Sequence, residues 1–309
     1  MAMAHGRSSA RILVAGGAGL VGRHLARALV GSGREVTVLS RSGRAAALPP
    51  GAEGRPWEDL AEALEGAVAV VNLCGEGIAE ARWTPERKRA LLDSRVGPTR
   101  RLVAALAAAR QRPGVLVNAS AVGIYGPRDG RPVTEADPPG SGFLADLGRA
   151  WEAAAAGAEP LGVRVVQLRL GVVLARDGGA LPRMARPARW GLAARLGDGR
   201  QGLSWIHVDD LVRMILAALT DPGWHGPVNA TAPAPVGNGA FTRALCRQLG
   251  RPLPPTPAWL TRAALGLLLG EMGEAMLLQG AYVLPARAQA LGFRFRFPEV
   301  AGALADLLA

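Results

Sequence analysis

RILVAGGAGLVGRHLARALVGSGREVTVLS, residues 11–40, decides the fold. Arg11 to Ala15 is a short apolar run, and Gly16 to Gly22 places four glycines in seven residues. RHLARALV then repeats its apolar positions at helical spacing until Gly33 stops it, and EVTVLS resumes as a β-branched run. The order strand, tight turn, helix, strand is a βαβ unit. Gly16, Gly19 and Gly22 have GxxGxxG spacing, and Gly17, Gly19 and Gly22 also satisfy GxGxxG, at the point where strand gives way to helix. A pyrophosphate must come close to unpaired amides at a helix N-terminus, and glycine lets the chain approach it. Leu20 and Val21 belong to the helical turn that would offer those amides.

The end of the second run selects the dinucleotide. A site for NAD would place a carboxylate there to hold the ribose 2′-hydroxyl. Ser40 and Arg41 stand there instead, and a hydroxyl beside a guanidinium suits a 2′-phosphate. The cofactor expected is therefore NADP(H).

Outward from this unit the alternation continues. A helix is expected at 58–65, a strand at 67–73, a long helix at 85–110, a strand at 115–120, a helix at 143–158 and a strand at 163–170. Continuous apolar strands between helices imply an α/β fold, a Rossmann doubly wound parallel sheet buried on both faces. After about residue 175 the text turns Gly- and Pro-rich, returns to sheet-like LSWIHVDD and GPVNAT, and is helical from about 240. This predicts a flexible leader at 1–10, a dinucleotide-binding domain at 11–175 completed by 203–232, and a smaller, mainly helical substrate-side lobe from 176–202 and 233–309.

Composition narrows the partners. The net charge is +11, yet the basic residues are scattered without an aromatic platform, which argues against nucleic acid. Lys88 is the one lysine in the sequence. No apolar stretch is long enough for a membrane span, and MAMAHGRSSA has no apolar block of the signal-peptide kind. Cys74 and Cys246 suggest neither a disulfide framework nor a metal cluster, so no metal is expected and a reducing cytoplasm fits.

GGAGLVG, LSR at 39–41, NLCGEGI at 72–78, RWTPERK at 82–88, DSRV at 93–96, SAVGIYG at 120–126, RVVQLRLGVVL at 164–174, GGALPRM at 178–184, SWIHVDDL at 204–211, PVNATAP at 227–233 and GEM at 270–272 run nearly end to end. Together they resemble the atypical branch of the extended short-chain dehydrogenases/reductases, the NAD-dependent epimerase-like family with a C-terminal domain of unknown function. The resemblance implies that Leu73, Cys74 and Gly75 flank the adenine-ribose side, with Cys74 where alanine is usual. It implies that Leu170, Gly171 and Val172 line the nicotinamide and that Ser120 holds the substrate oxygen. Trp83, Met184, Arg200 and Gln201, with Arg82, fall in text similar to the family's substrate side.

One expected feature is missing. The superfamily delivers a proton with a tyrosine and a lysine four residues on, but the two tyrosines, Tyr125 and Tyr282, are followed at that spacing by Asp129 and Ala286. Aligned on Glu152, the pair's positions fall on Leu144 and Gly148. Tyr125 is the first alternative donor, against a packing role with its hydroxyl tied down; Glu76 and Lys88 follow, against an exposed-helix role for Lys88. His207 and Asp209 read as structural. Two functions stay open: an NADP(H)-dependent oxidoreductase or epimerase on a small carbonyl or hydroxyl compound, and a non-catalytic, NADP(H)-binding regulator of the kind linked to cell division. A homodimer is common in the superfamily.

Overall fold

A computed structural model describes residues 10–41, 43, 48–128 and 130–309. All but the last residue of the expected leader lies outside them. Seven parallel strands form the main sheet: β1 (Arg11–Ala15), β2 (Glu35–Ser40), β3 (Ala52–Pro56), β4 (Ala67–Asn72), β5 (Val115–Ala121), β6 (Arg164–Leu170) and β7 (Gly226–Ala230). Their order is β7-β6-β5-β4-β1-β2-β3. The order reverses between β1 and β4, so the crevice for a ligand opens beyond the C-terminal ends of these two strands.

Alternation along each strand sends side chains to two cores. Ile12, Val14, Val36 and Val38 meet α1 (Leu20–Gly31) and a later helix on one face. Leu13, Leu39, Val70 and Leu116 meet the other face, where α2 (Pro85–Ala108) contributes Leu102 and Leu106. Each fully buried leucine contributes about 1.5–3 kcal/mol. Thr84 caps α2 by accepting the Arg87 N–H at 3.1 Å, and Pro85 fits the first turn, where no helical N–H bond is lost.

β3 was not expected. Its text, AEGRP, lacks the β-branched alternation of a strand, and it exists because it pairs by backbone with β2 at the sheet edge. The helix expected at 58–65 is a 3₁₀ turn, Trp57–Asp59, followed by Leu60–Leu64. The helix after β5 is α3 (Phe143–Ala156).

The remaining text builds a second core. Val172–Ala175, Gly178–Gly179 and Trp205–His207 form a small sheet of their own. The SWIH run therefore lies outside the main sheet, whereas GPVNA supplies its edge strand, β7. Leu181 of α4 (Ala180–Arg189), Trp205, Phe241 and Leu245 of a later helix, and Leu304 pack together. α5 (Val208–Thr220) begins on His207, whose Nδ1 accepts the Asp209 N–H at 3.0 Å, and Asp210 accepts the N–H groups of Arg296 and Phe297. SWIHVDD thus caps a helix and holds the C-terminal segment, which is the structural role read for His207 and Asp209. Two further helices are α6 (Asn238–Gln248) and α7 (Ala258–Leu269). Among the described residues no helix is long and apolar enough to cross a membrane.

Candidate functional site

At the β1 corner the four glycines do different work. Gly16 has φ +74°, and a Cβ there would lie 2.8 Å from the Leu73–Cys74 backbone. A Cβ on Gly22 would be 2.4 Å from the Gly17 Cα. A Cβ on Gly17 would press to 2.7 Å against Val38. These three are required by the protein's own packing. Gly19 is not: its φ is −72° and its Cβ would meet nothing nearer than the Gly16 carbonyl at 3.4 Å. Its bareness leaves the helix N-terminus open to approach from outside. The first bond of the helical ladder runs from the Arg23 N–H to the Gly19 carbonyl, leaving the N–H groups of Leu20, Val21 and Gly22 without helical partners. The Leu20 side chain itself points away, onto Gly178 and Gly179.

Leu73–Gly75 and Ser40–Arg41 stand around this corner, while Leu170–Val172 lie three strands away at the end of β6. Leu73 donates its N–H to the Ala15 carbonyl at 2.9 Å, which sets NLCG beside Gly16. Cys74 is buried in the core, and burial pushes its thiol up to about 12, so it fills space rather than reacts. Arg95, from DSRV, clamps the Gly75–Glu76 turn: it donates to the Glu76 carbonyl at 2.8 Å and stacks over Trp151. Burial, reinforced by Arg87, lowers its pKa to about 10. Ser40, at the end of β2, has a buried Oγ without a hydrogen-bond partner, and Arg41 beside it is exposed. An unpaired buried hydroxyl next to a solvent-facing guanidinium suits an anion at the ribose end. Gly171 and Val172 follow β6, donating to the Ala230 and Ser204 carbonyls, and Leu170 packs on the core.

The end of β5 departs from expectation. Ser120 is buried and donates to Glu152 at 2.7 Å. Glu152 also receives two bonds from Arg169, each 2.8 Å, and Arg169 donates to the Tyr125 hydroxyl at 2.8 Å. Tyr125 donates in turn to Asn229 at 2.7 Å and is 0% exposed, and burial pushes its phenol up. Both hydroxyls are thus engaged in one buried polar network, in place of the open position that the catalytic roles expected for Ser120 and Tyr125 would use. The cause is strand alternation: with Ser120 turned in, the neighbour that faces out is Ala121. The positions on α3 are equally bare. Leu144 lies against Gly123, and a Cβ on Gly148 would already stand 2.9 Å from Ile124, leaving no space for a lysine.

Ionisable groups survive across the mouth. Lys88 Nζ donates to both oxygens of Glu271, at 2.6 and 2.7 Å, and lies 5.3 Å from the Phe143 ring centre. Trp83 packs edge-on to Phe143 at 4.9 Å and donates to the Ile78 carbonyl. Trp83, Leu91 and Met272 form a small apolar cluster against Phe143 and Leu144. Glu76 is held by Arg87. Phe143 and Glu271 were not singled out in the sequence, although GEM was; only their contacts reveal them. Met184 packs partly into the second core. Arg200 accepts through its carbonyl from Tyr282, and Gln201 donates to the Leu196 and Leu277 carbonyls while its buried Oε1 has no partner. Among the described residues no acidic, Cys or His cluster could hold a metal. A surface cleft of about 490 Å³ lined by Arg213, Trp224 and Phe293 contains none of these residues.

The model of the NAD dependent epimerase/dehydratase family matches residues 12–229, and a domain of unknown function, DUF1731, matches 256–307. The chain belongs to this epimerase family. An epimerase family protein of Mycobacterium tuberculosis is 42% identical over 302 residues, covering 96% of this chain and 97% of its own. The chloroplastic SDR39U1 homolog of Arabidopsis thaliana is 40% identical, with 97% and 87% covered. Among solved structures, human epimerase family protein SDR39U1, crystallised with NADPH, superimposes with a TM-score of 0.85 at 35% identity over 96% of this chain and 98% of that one. The Rossmann-like sheet and family membership inferred from the sequence both hold.

Proposed function

We propose that this epimerase family protein binds NADPH at the β1 corner and is an oxidoreductase, or an epimerase working through transient oxidation, on a small carbonyl or hydroxyl compound. The Lys88–Glu271 ion pair carries this reading. It stands in an apolar frame of Trp83, Phe143 and Met272, beside the α3 positions that have lost the superfamily's donor. The bound dinucleotide would supply or accept hydride. Gly19 and the amides of Leu20 to Gly22 would hold the pyrophosphate, Ser40 and Arg41 the 2′-phosphate, and Leu73, Gly75 and Gly171 the adenine and nicotinamide flanks. In the reducing direction Lys88 would give a proton to the substrate oxygen, and Glu271 orients the amine through its two hydrogen bonds. Arg200, Gln201 and Met184 would line the substrate side. Two buried free cysteines suit a reducing compartment such as the cytoplasm.

A non-catalytic regulator is the second reading, favoured by the locked Ser120 and Tyr125. Purified protein with NADPH, screened against aldehydes, ketones and nucleotide sugars, separates the two. Turnover abolished by Lys88→Met, with NADPH affinity unchanged, supports catalysis; silence across the panel alongside tight NADPH binding supports the regulator. Gly19→Ala should leave thermal stability unchanged and weaken NADPH binding by about tenfold or more, equivalent to roughly 1.4 kcal/mol.

A further inference from the structure

α7 is built inside out. A surface helix ordinarily turns its apolar stripe to the core and its polar stripe to water. In AWLTRAALGLLL, Thr261 is the buried residue, and its Oγ accepts the Gly197 N–H at 3.0 Å. Trp259, Ala263 and Leu267, spaced by four, share the opposite face with Leu260 and Ala264. Trp259 is 70% exposed and Leu267 78%. Leu268 beside them is also exposed, and Trp190 and Leu192, on the loop that runs to Gly197, are 79% and 72% exposed. Two tryptophans and four leucines in water on neighbouring segments exceed the scatter of a monomer surface and mark a docking face.

Charge identifies what docks. Residues 180–197 contain four arginines and no acid, and residues 243–270 contain four more and no acid. None of these eight forms an ion pair among the described residues. Arg195 and Arg243 line a cleft of about 460 Å³ with Leu253–Pro257, immediately before α7. The acids that border the two segments are Asp198, whose carboxylate accepts the Arg200 N–H, and Glu271, which is neutralised by Lys88. A second copy of the same face would set arginine against arginine. A flat anionic layer over an apolar interior matches both components: guanidinium groups meet the phosphates, and tryptophan and leucine enter beneath. We propose that the lobe carrying α4 and α7 binds peripherally to an anionic lipid bilayer, with the outward face of α7 lying in the interface.

The test is sedimentation of the full chain with phosphatidylglycerol–phosphatidylcholine vesicles in equal parts, against pure phosphatidylcholine. Binding to the anionic vesicles, weakened as salt rises and accompanied by a blue shift of tryptophan emission, is expected. Trp259→Glu with Leu267→Glu should lower binding by about tenfold or more, roughly the effect of placing charge where apolar groups enter. The same variant should keep its circular dichroism and its NADPH affinity, which shows that the fold persists. Equal binding by this variant, or no binding of the wild-type chain to anionic vesicles, overturns the proposal. So does a concentration-dependent dimer that the variant abolishes, which would assign the face to a second copy.

Discussion

The carboxyl ends of β1 and β5 lie two strands apart in one sheet, yet they have been treated differently. At β1 every glycine remains, and the contacts on offer are main-chain amides. At β5 the exposed residue is Ala121, while Ser120 and Tyr125 are buried and bound to Glu152 and Arg169. The turn after β1 leaves little freedom in sequence, because any Cβ at Gly16 or Gly22 collides with main chain. Proton delivery by a side chain can move to another element without disturbing the fold, and we propose the Lys88–Glu271 pair as the group that takes it over.

Glu152→Ala tests the contrast most severely. It strands the Arg169 guanidinium in the interior, and we expect a loss of about 3–5 kcal/mol in denaturant unfolding. Retention of wild-type stability would show that water reaches this network and that Ser120 is available to a ligand after all. Tyr125→Phe should cost less, about 1–3 kcal/mol, because it leaves Asn229 and Arg169 each one partner short. NADPH affinity and any turnover should survive it; a selective loss of turnover in a protein of normal stability would return Tyr125 to the chemistry.

The smallest effect expected is on pH. Burial lowers the pKa of His207 below its ordinary 6.5. Above that pH the imidazole is neutral in both folded and unfolded chains, and this group gives no pH dependence. Below it the unfolded chain takes up a proton that the folded chain resists, so stability falls as pH drops from about 6.5 toward the lowered folded value. His207→Asn, which keeps an acceptor for the Asp209 N–H, should flatten that slope in thermal melts taken across the acidic range.

Family, sheet and the glycine turn after β1 were legible because they depend on local rules. Apolar runs at period two, helices at period 3.6 and glycines at a strand-to-helix turn specify a βαβ unit wherever they occur. β3 escaped notice because an edge strand paired by backbone needs no side-chain signature. The absence of the Tyr/Lys pair followed from counting residues, since spacing on one helix requires nothing beyond the sequence. Which way Ser120 faces, what holds Tyr125, and that Lys88 meets Glu271 across 183 positions were decided by tertiary structure. Those outcomes depend on strand register and on contacts between distant segments, where the same residue is catalytic, structural or exposed according to what packs against it. α7 is the sharpest instance: its text reads as an ordinary apolar core helix, and only its packing through Thr261 shows that Leu260, Leu267 and Leu268 face outward.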